Sequence, residues 1–185
     1  LATGRICKIH SYNEDAERAM LERMQRQVSK VYTHKFEGML NDMRSASLIG
    51  ERFKQVANVP LPSEFEPKVL TMAFWPPSKP DDSFVVPDSL KACEDAFARY
   101  YRRAHATRQL RWQPERGSAV FAVAYPKGAK EVSASIYQAA VITSIDAIAP
   151  TLDGQGVKLD DLARRVGIEV SELKPLVASM LLAKG

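Results

Sequence analysis

The stretch RQLRWQPERGSAVFAVAYPKGAKEVSASI, Arg108 to Ile136, decides the fold. Leu110 and Trp112 alternate with Gln109, Arg111 and Gln113. Phe121, Val123 and Tyr125 alternate with Val120, Ala122 and Ala124, and Val132, Ala134 and Ile136 with Glu131, Ser133 and Ser135. A period of two residues belongs to a half-buried strand, whose successive side chains leave opposite faces. PERGS and PKGAK separate the runs and carry the glycine of short turns. The pattern predicts a three-strand antiparallel meander. AVFAVAY has no charge and reads as a central strand, and EVSASI carries only Glu131. A sheet this small exposes edges that need cover. The cover comes either from the chain's own helices or from an extended segment of a partner that completes the sheet.

Upstream, VLTMAFWPP, Val69 to Pro77, is apolar except for Thr71 until two prolines stop it. It reads as a further strand, buried on both faces. Before it, the period is helical. SYNE at Ser11–Glu14 has capping-box form, and Ala16, Met20, Met24 and Val28 follow at a spacing of four. Phe36, Met39, Leu40 and Met43 mark a second helix. Ser45–Ser47 then offers a break and a new cap, after which Leu48, Phe53 and Val56 mark a third. Between the proline loop and the meander, VPDSLKACEDAFARYYRRA is a helix with Leu90, Cys93, Phe97, Tyr100 and Tyr101 on one side.

Downstream, YQAAVITSIDAIAP is a nearly all-apolar helix. A short helix starting at Asp160 buries Leu162 and Val166 and stops at Gly167. A last helix has Ser171 as N-cap and Pro175 early enough to cost little. With the strand-like VKL before the short helix, this is the order of a winged-helix unit. The expected class is therefore α+β: helices packed with a small antiparallel sheet, followed by a winged helix.

Composition bounds the chemistry. The chain has 185 residues and a net charge of +4. Lys91–Arg116 holds seven basic and three acidic residues, so this one zone equals the whole excess. Its arginines, Arg99, Arg102, Arg103, Arg108 and Arg111, interleave with Tyr100, Tyr101 and Trp112. The aromatics fall on the inward side, which leaves a cationic rim suited to an acidic protein partner. From Gln138 onward five basic residues face six acidic ones, which disfavours DNA binding by the winged helix. His10, His34 and His105 lie in unrelated contexts, and no nucleophile can be assembled with a base. Asp42, Asp81–Asp82 and Asp160–Asp161 read as capping and solubility. No cofactor or metal is expected. Cys7 and Cys93 lack zinc spacing and read as thiols of a reducing compartment. No run approaches the ~18 apolar residues of a membrane span. The missing initiator Met and the stop just after SMLL read as the ends of a fragment.

Five motifs in order resemble the C-terminal homology region of cullins, the scaffolds of multisubunit ubiquitin ligases. THKFEGMLNDM is similar to that family's T-x-x-L-E-G-M-x-x-D-M, with Phe36 for Leu. LTMAFWP resembles L-T-x-G-Y-W-P, with Ala73 and Phe74 substituted, and HATRQLRW resembles H-x-x-R-K-L-x-W. Gly117 and EVSASIYQAAV, with Gln138, resemble the strand and helix start, and LARRVGIEVSELKPLVASML resembles the first winged helix. SYNEDAERAMLERM is similar to a helix further upstream, but TGRI stands where the family carries K-R-L-L.

The resemblance implies a non-catalytic scaffold. Residues 1–32 would end a helical bundle, 33–137 would form the α/β domain, and 138–185 the first winged helix. A strand from a RING-type zinc protein would complete the sheet, with Leu110, Trp112, Phe121, Val123, Val132 and Ala134 on the matched strands. The RING would recruit a ubiquitin-charged E2, whose acidic tail Arg102, Arg103 and Arg108 would meet. Adaptors would bind through regions this chain does not carry, and the setting would be cytoplasm and nucleus. Two alternatives stay open. One is the cullin-like subunit of the anaphase-promoting complex, which FWPP favours; the other is a winged-helix nucleic-acid binder.

Overall fold

A computed structural model describes residues 13–56, 64–78, 83–125, 128–148 and 156–182. The chain divides into two compact units, residues 1–78 with 92–109 and residues 79–91 with 110–185. The described residues hold six α-helices and one antiparallel pair of strands, the expected α+β class.

In the first unit, α1 (Glu14–Gln27) is capped by Asn13, whose Oδ1 accepts the Ala16 N–H at 3.1 Å. Glu14, Asp15 and Glu17 in its first turn suit the positive end of the helix dipole. The predicted cap, Ser11, lies outside the described residues. The inward face also differs from the expected stripe. Glu17 and Leu21 are buried, Met20 and Met24 half-buried, and Ala16 and Val28 exposed. Each four-residue step overshoots a helical turn by about 40°, so a strict spacing of four winds round the helix and cannot keep both its ends inward.

Helix α2 (Lys30–Val56) runs unbroken for 27 residues, straight through the predicted break at Ser45–Ser47. Met39, Met43, Ala46, Gly50 and Phe53 are all buried, at spacings that follow one helix face without interruption. The Ser47 hydroxyl donates to the Met43 carbonyl at 3.3 Å, so this serine is satisfied within the helix and does not cap a new one. Leu48 and Val56 fall off that face and are exposed.

The apolar run Val69–Pro77 is not a strand. It is a loop turned back on itself, with the Phe74 N–H donating to the Thr71 carbonyl at 3.0 Å. Trp75 joins Met39 and Met43 in a buried cluster flanked by Phe36, Leu70 and Phe74. Leu70, Phe74 and Trp75 are apolar because they pack on α2, whereas Met72 is exposed, and the polar groups of Thr71 and Trp75 are satisfied by α2 as well. Asp42 accepts the Thr71 N–H at 2.7 Å, the Thr71 hydroxyl at 2.8 Å and the Trp75 indole N–H at 2.9 Å. Gly38 lets the loop sit this close: a Cβ there would lie 2.4 Å from Cγ of Phe74.

Helix α3 (Asp88–Ala104) buries Cys93, Phe97 and Tyr101 of its predicted side, and Ala96 beside them, while Leu90 and Tyr100 are half-buried. Phe97 meets Phe53 edge-to-face, with ring centroids 5.2 Å apart.

The second unit contains β1 (Ser118–Tyr125), β2 (Gly128–Ser135), α4 (Ile136–Ile148), α5 (Leu159–Val166) and α6 (Val170–Leu182). Its core joins Phe84, Ile136, Ala140, Val141, Leu162, Val166 and Leu173. Gly167 ends α5 in the left-handed conformation, φ 72°, and its N–H donates to the Ala163 carbonyl at 2.8 Å. A Cβ on Gly167 would stand 1.9 Å from the Ser83 carbonyl oxygen, so only glycine fits. Helix α6 begins one residue before the predicted cap Ser171. The Glu169 carbonyl accepts the N–H groups of Glu172 and Leu173, and Pro175 lies inside the helix. Gly156–Lys158 is not a strand, yet α4, α5 and α6 keep the three-helix order of a winged helix.

Candidate functional site

Among the described residues the sheet has two strands, not three. Leu110–Gln113 forms no ladder and leads into a 3₁₀ turn at Pro114–Arg116. Four alternating residues describe any extended segment with one side on a surface, and a strand also requires a neighbour to bond. Leu110 and Trp112 are half-buried in this segment.

The remaining hairpin is built from its base. Gln113 and Pro114 carbonyls close the 3₁₀ turn by accepting the Arg116 and Gly117 N–H groups, and the Gly117 carbonyl accepts the Ile136 N–H at 3.2 Å. β2 passes directly into α4 through a reciprocal cap. The Ser135 N–H donates to Gln138 Oε1 at 2.8 Å, and the Gln138 N–H donates to Ser135 Oγ at 3.2 Å. Gln138 Nε2 also donates to Ser179 Oγ of α6 at 3.1 Å, so one side chain fixes the hairpin root against two helices.

The strands pair antiparallel with Ala119 opposite Ala134, Phe121 opposite Val132 and Val123 opposite Lys130. Ala134 is buried, and Ala119 packs against the core. Two residues further out the same face loosens: Phe121 is half-buried and Val132 is 36% exposed. On the other face Val120 is 64% exposed, with Ala122, Glu131 and Ser133 also open. The hairpin is thus held at its base and opens by Phe121 and Val132. Among the described residues neither strand has a second ladder partner. An isolated two-strand ribbon is marginal in water, and its outward N–H and C=O groups form a template for another strand.

The candidate cations lie in the first unit. Arg102 and Arg103 are exposed in the last turn of α3, where they suit the negative end of the helix dipole. Arg108 is exposed beyond it, and its N–H donates to the His105 carbonyl at 3.1 Å. Tyr101 turns inward and meets the His105 ring at 4.5 Å, so the aromatics of this zone pack while the cations face water.

Among the described residues no group of His, Cys, Asp and Glu has metal-binding geometry, and no helix is long and apolar enough to cross a membrane. Cys93 is buried in α3, while Cys7 and His10 lie outside the described residues. The sequence reading missed the clamp by Asp42, whose partners lie 29 and 33 residues away and leave no local signal. It also missed the cap by Gln138, although Ser135–Gln138 has the S-x-x-Q form of a capping box.

Comparison with known proteins accounts for both units. The family model of the cullin alpha+beta domain matches residues 69–185, and that of the cullin alpha solenoid domain matches residues 4–49. Cullin-4A of Mus musculus is 29% identical over 177 residues, covering 94% of this chain and 22% of the relative. Cullin-3 of Dictyostelium discoideum is 30% identical over 89% of this chain and 21% of the relative. Cullin-3 of Schizosaccharomyces pombe is 28% identical over 97% of this chain and 23% of the relative. The chain therefore spans about a fifth of the length of these relatives. With an alpha+beta match over most of its length and relatives aligned nearly end to end along it, the chain belongs to the cullin family.

Proposed function

We propose that this chain is the RING-docking part of a non-catalytic scaffold of a ubiquitin ligase, acting in the cytoplasm and nucleus. A RING-type zinc protein adds a strand to the hairpin β1–β2. Phe121, Val123, Val132 and Ala134 then lie within the joint sheet, and Leu110 and Trp112 flank it in the extended segment before the 3₁₀ turn. The RING brings a ubiquitin-charged E2, and Arg102, Arg103 and Arg108 offer cations to its acidic surface. Residues 33–137 supply the α/β part of the scaffold and 138–185 its first winged helix. Catalysis belongs to the partners, and adaptors bind elsewhere on the scaffold.

One observation carries this reading: a charge-free strand sits in a two-strand sheet and has no second ladder partner among the described residues. Main-chain bonds at such an edge supply affinity, and alternate side chains supply selectivity. The relatives named above are cullins proper, which supports this reading over a subunit of the anaphase-promoting complex. Phe121→Asp combined with Val123→Asp tests it. In a pull-down with a RING-type zinc protein, wild type is retained and the double variant is lost while its far-UV circular dichroism is unchanged. Equal recovery of the two folded proteins contradicts strand addition at this hairpin.

A further inference from the structure

We infer that β1 is also a self-association edge, and that two copies of this chain pair antiparallel through it when no other strand occupies it. This rests on the open hairpin alone and needs no RING partner. The two strands differ in a way that selects the edge. β2 carries Lys130 and Glu131 in its middle, the kind of charges that guard sheet edges. β1, SAVFAVAY, carries none over its eight residues.

A two-fold axis through the sheet preserves its faces. A β1–β1 pair then places only Ser, Ala, Val, Phe and Tyr positions opposite one another, whatever the register. Such a contact is the same patch on both copies and closes as a dimer. β1 pairing with a second copy's β2 would instead be head-to-tail. It would leave free strands at both ends and grow into open assemblies. The exposed side chains of β1, Val120 and Ala122, add apolar cross-strand contacts at the pair.

The test measures the mass of the 185-residue chain by light scattering after size exclusion, over a wide range of concentration. The expected result is a monomer–dimer equilibrium with no larger species. Val120→Lys with Ala122→Lys places cations at two exposed positions of β1, opposite Ser133 and Glu131 within the hairpin, so the fold tolerates it. The dimer dissociation constant then rises about a hundredfold, the scale of like charges set against each other. Ser133→Lys, exposed on the same face of β2, leaves the dimer intact. Circular dichroism checks that each variant is folded. A monomer at every concentration overturns the inference, and so does growth beyond the dimer. Equal loss of dimer in Ser133→Lys also overturns it, because that outcome assigns the contact to the outer face of the hairpin.

Discussion

At the scale of single residues, Asp42 and Gly38 explain the apolar run that reads as a strand. The Asp42 carboxylate accepts three hydrogen bonds from the Thr71–Trp75 loop. Asp42→Ala removes all three and leaves the indole N–H of buried Trp75 without its acceptor. The expected cost is about 2 kcal/mol, read as a lower urea midpoint with Trp fluorescence as the probe. Gly38 gives a sharper test, since two effects of opposite sign compete there. Alanine inside a helix gains about 1 kcal/mol over glycine, but overpacking against the Phe74 ring costs about 1–3 kcal/mol. Gly38→Ala is therefore destabilising in the native background and stabilising in Phe74→Ala, and a double-mutant cycle shows the change of sign. Neither residue was legible as a structural centre. Local sequence shows propensity and period, whereas a carboxylate that serves a loop 29 residues later shows neither. Gly167 was legible because a helix stop acts within one turn, and its φ of 72° agrees.

At the scale of elements, helices whose ends have their own chemistry were readable. α5 buries both residues that periodicity assigns to it, and α3 buries Cys93, Phe97 and Tyr101 of its five, with Leu90 and Tyr100 half-buried. The errors fell where a local signal was overruled by packing. Ser45–Ser47 looks like a cap, but Ala46 between the serines is fully buried and carries the inward face of α2 across the site. Ser45→Pro measures that continuity. Proline within a continuous helix costs about 3 kcal/mol, whereas at a true break the same change is nearly neutral. Thermal unfolding followed at 222 nm by circular dichroism distinguishes the two, and the large loss is expected. The third strand failed for the opposite reason. Leu110–Gln113 has strand alternation but forms no ladder with another described segment. Alternation reports which side of a segment meets an apolar surface, and it says nothing about whether a ladder partner exists.

At the scale of the molecule, the sheet stands out for its size, two strands among the described residues. The second unit has a closed helical core, and Gln138 fixes the hairpin root to it, yet the hairpin leaves that core with Val132 and Val120 in the open. This much of the candidate site was visible in the sequence as charge-free alternation. The reduction from three strands to two was not, because strand number depends on pairing across the fold. The chain belongs to the cullin family, and the proposed docking of a RING strand onto the hairpin is the central claim. Hydrogen exchange of the Ser118–Ser135 amides, with and without the RING-type zinc protein, tests that claim most directly. The account predicts that amides on the open side of the hairpin exchange fast in the chain alone and are strongly protected in the complex. Formation of the complex with no change in exchange across these residues would contradict it.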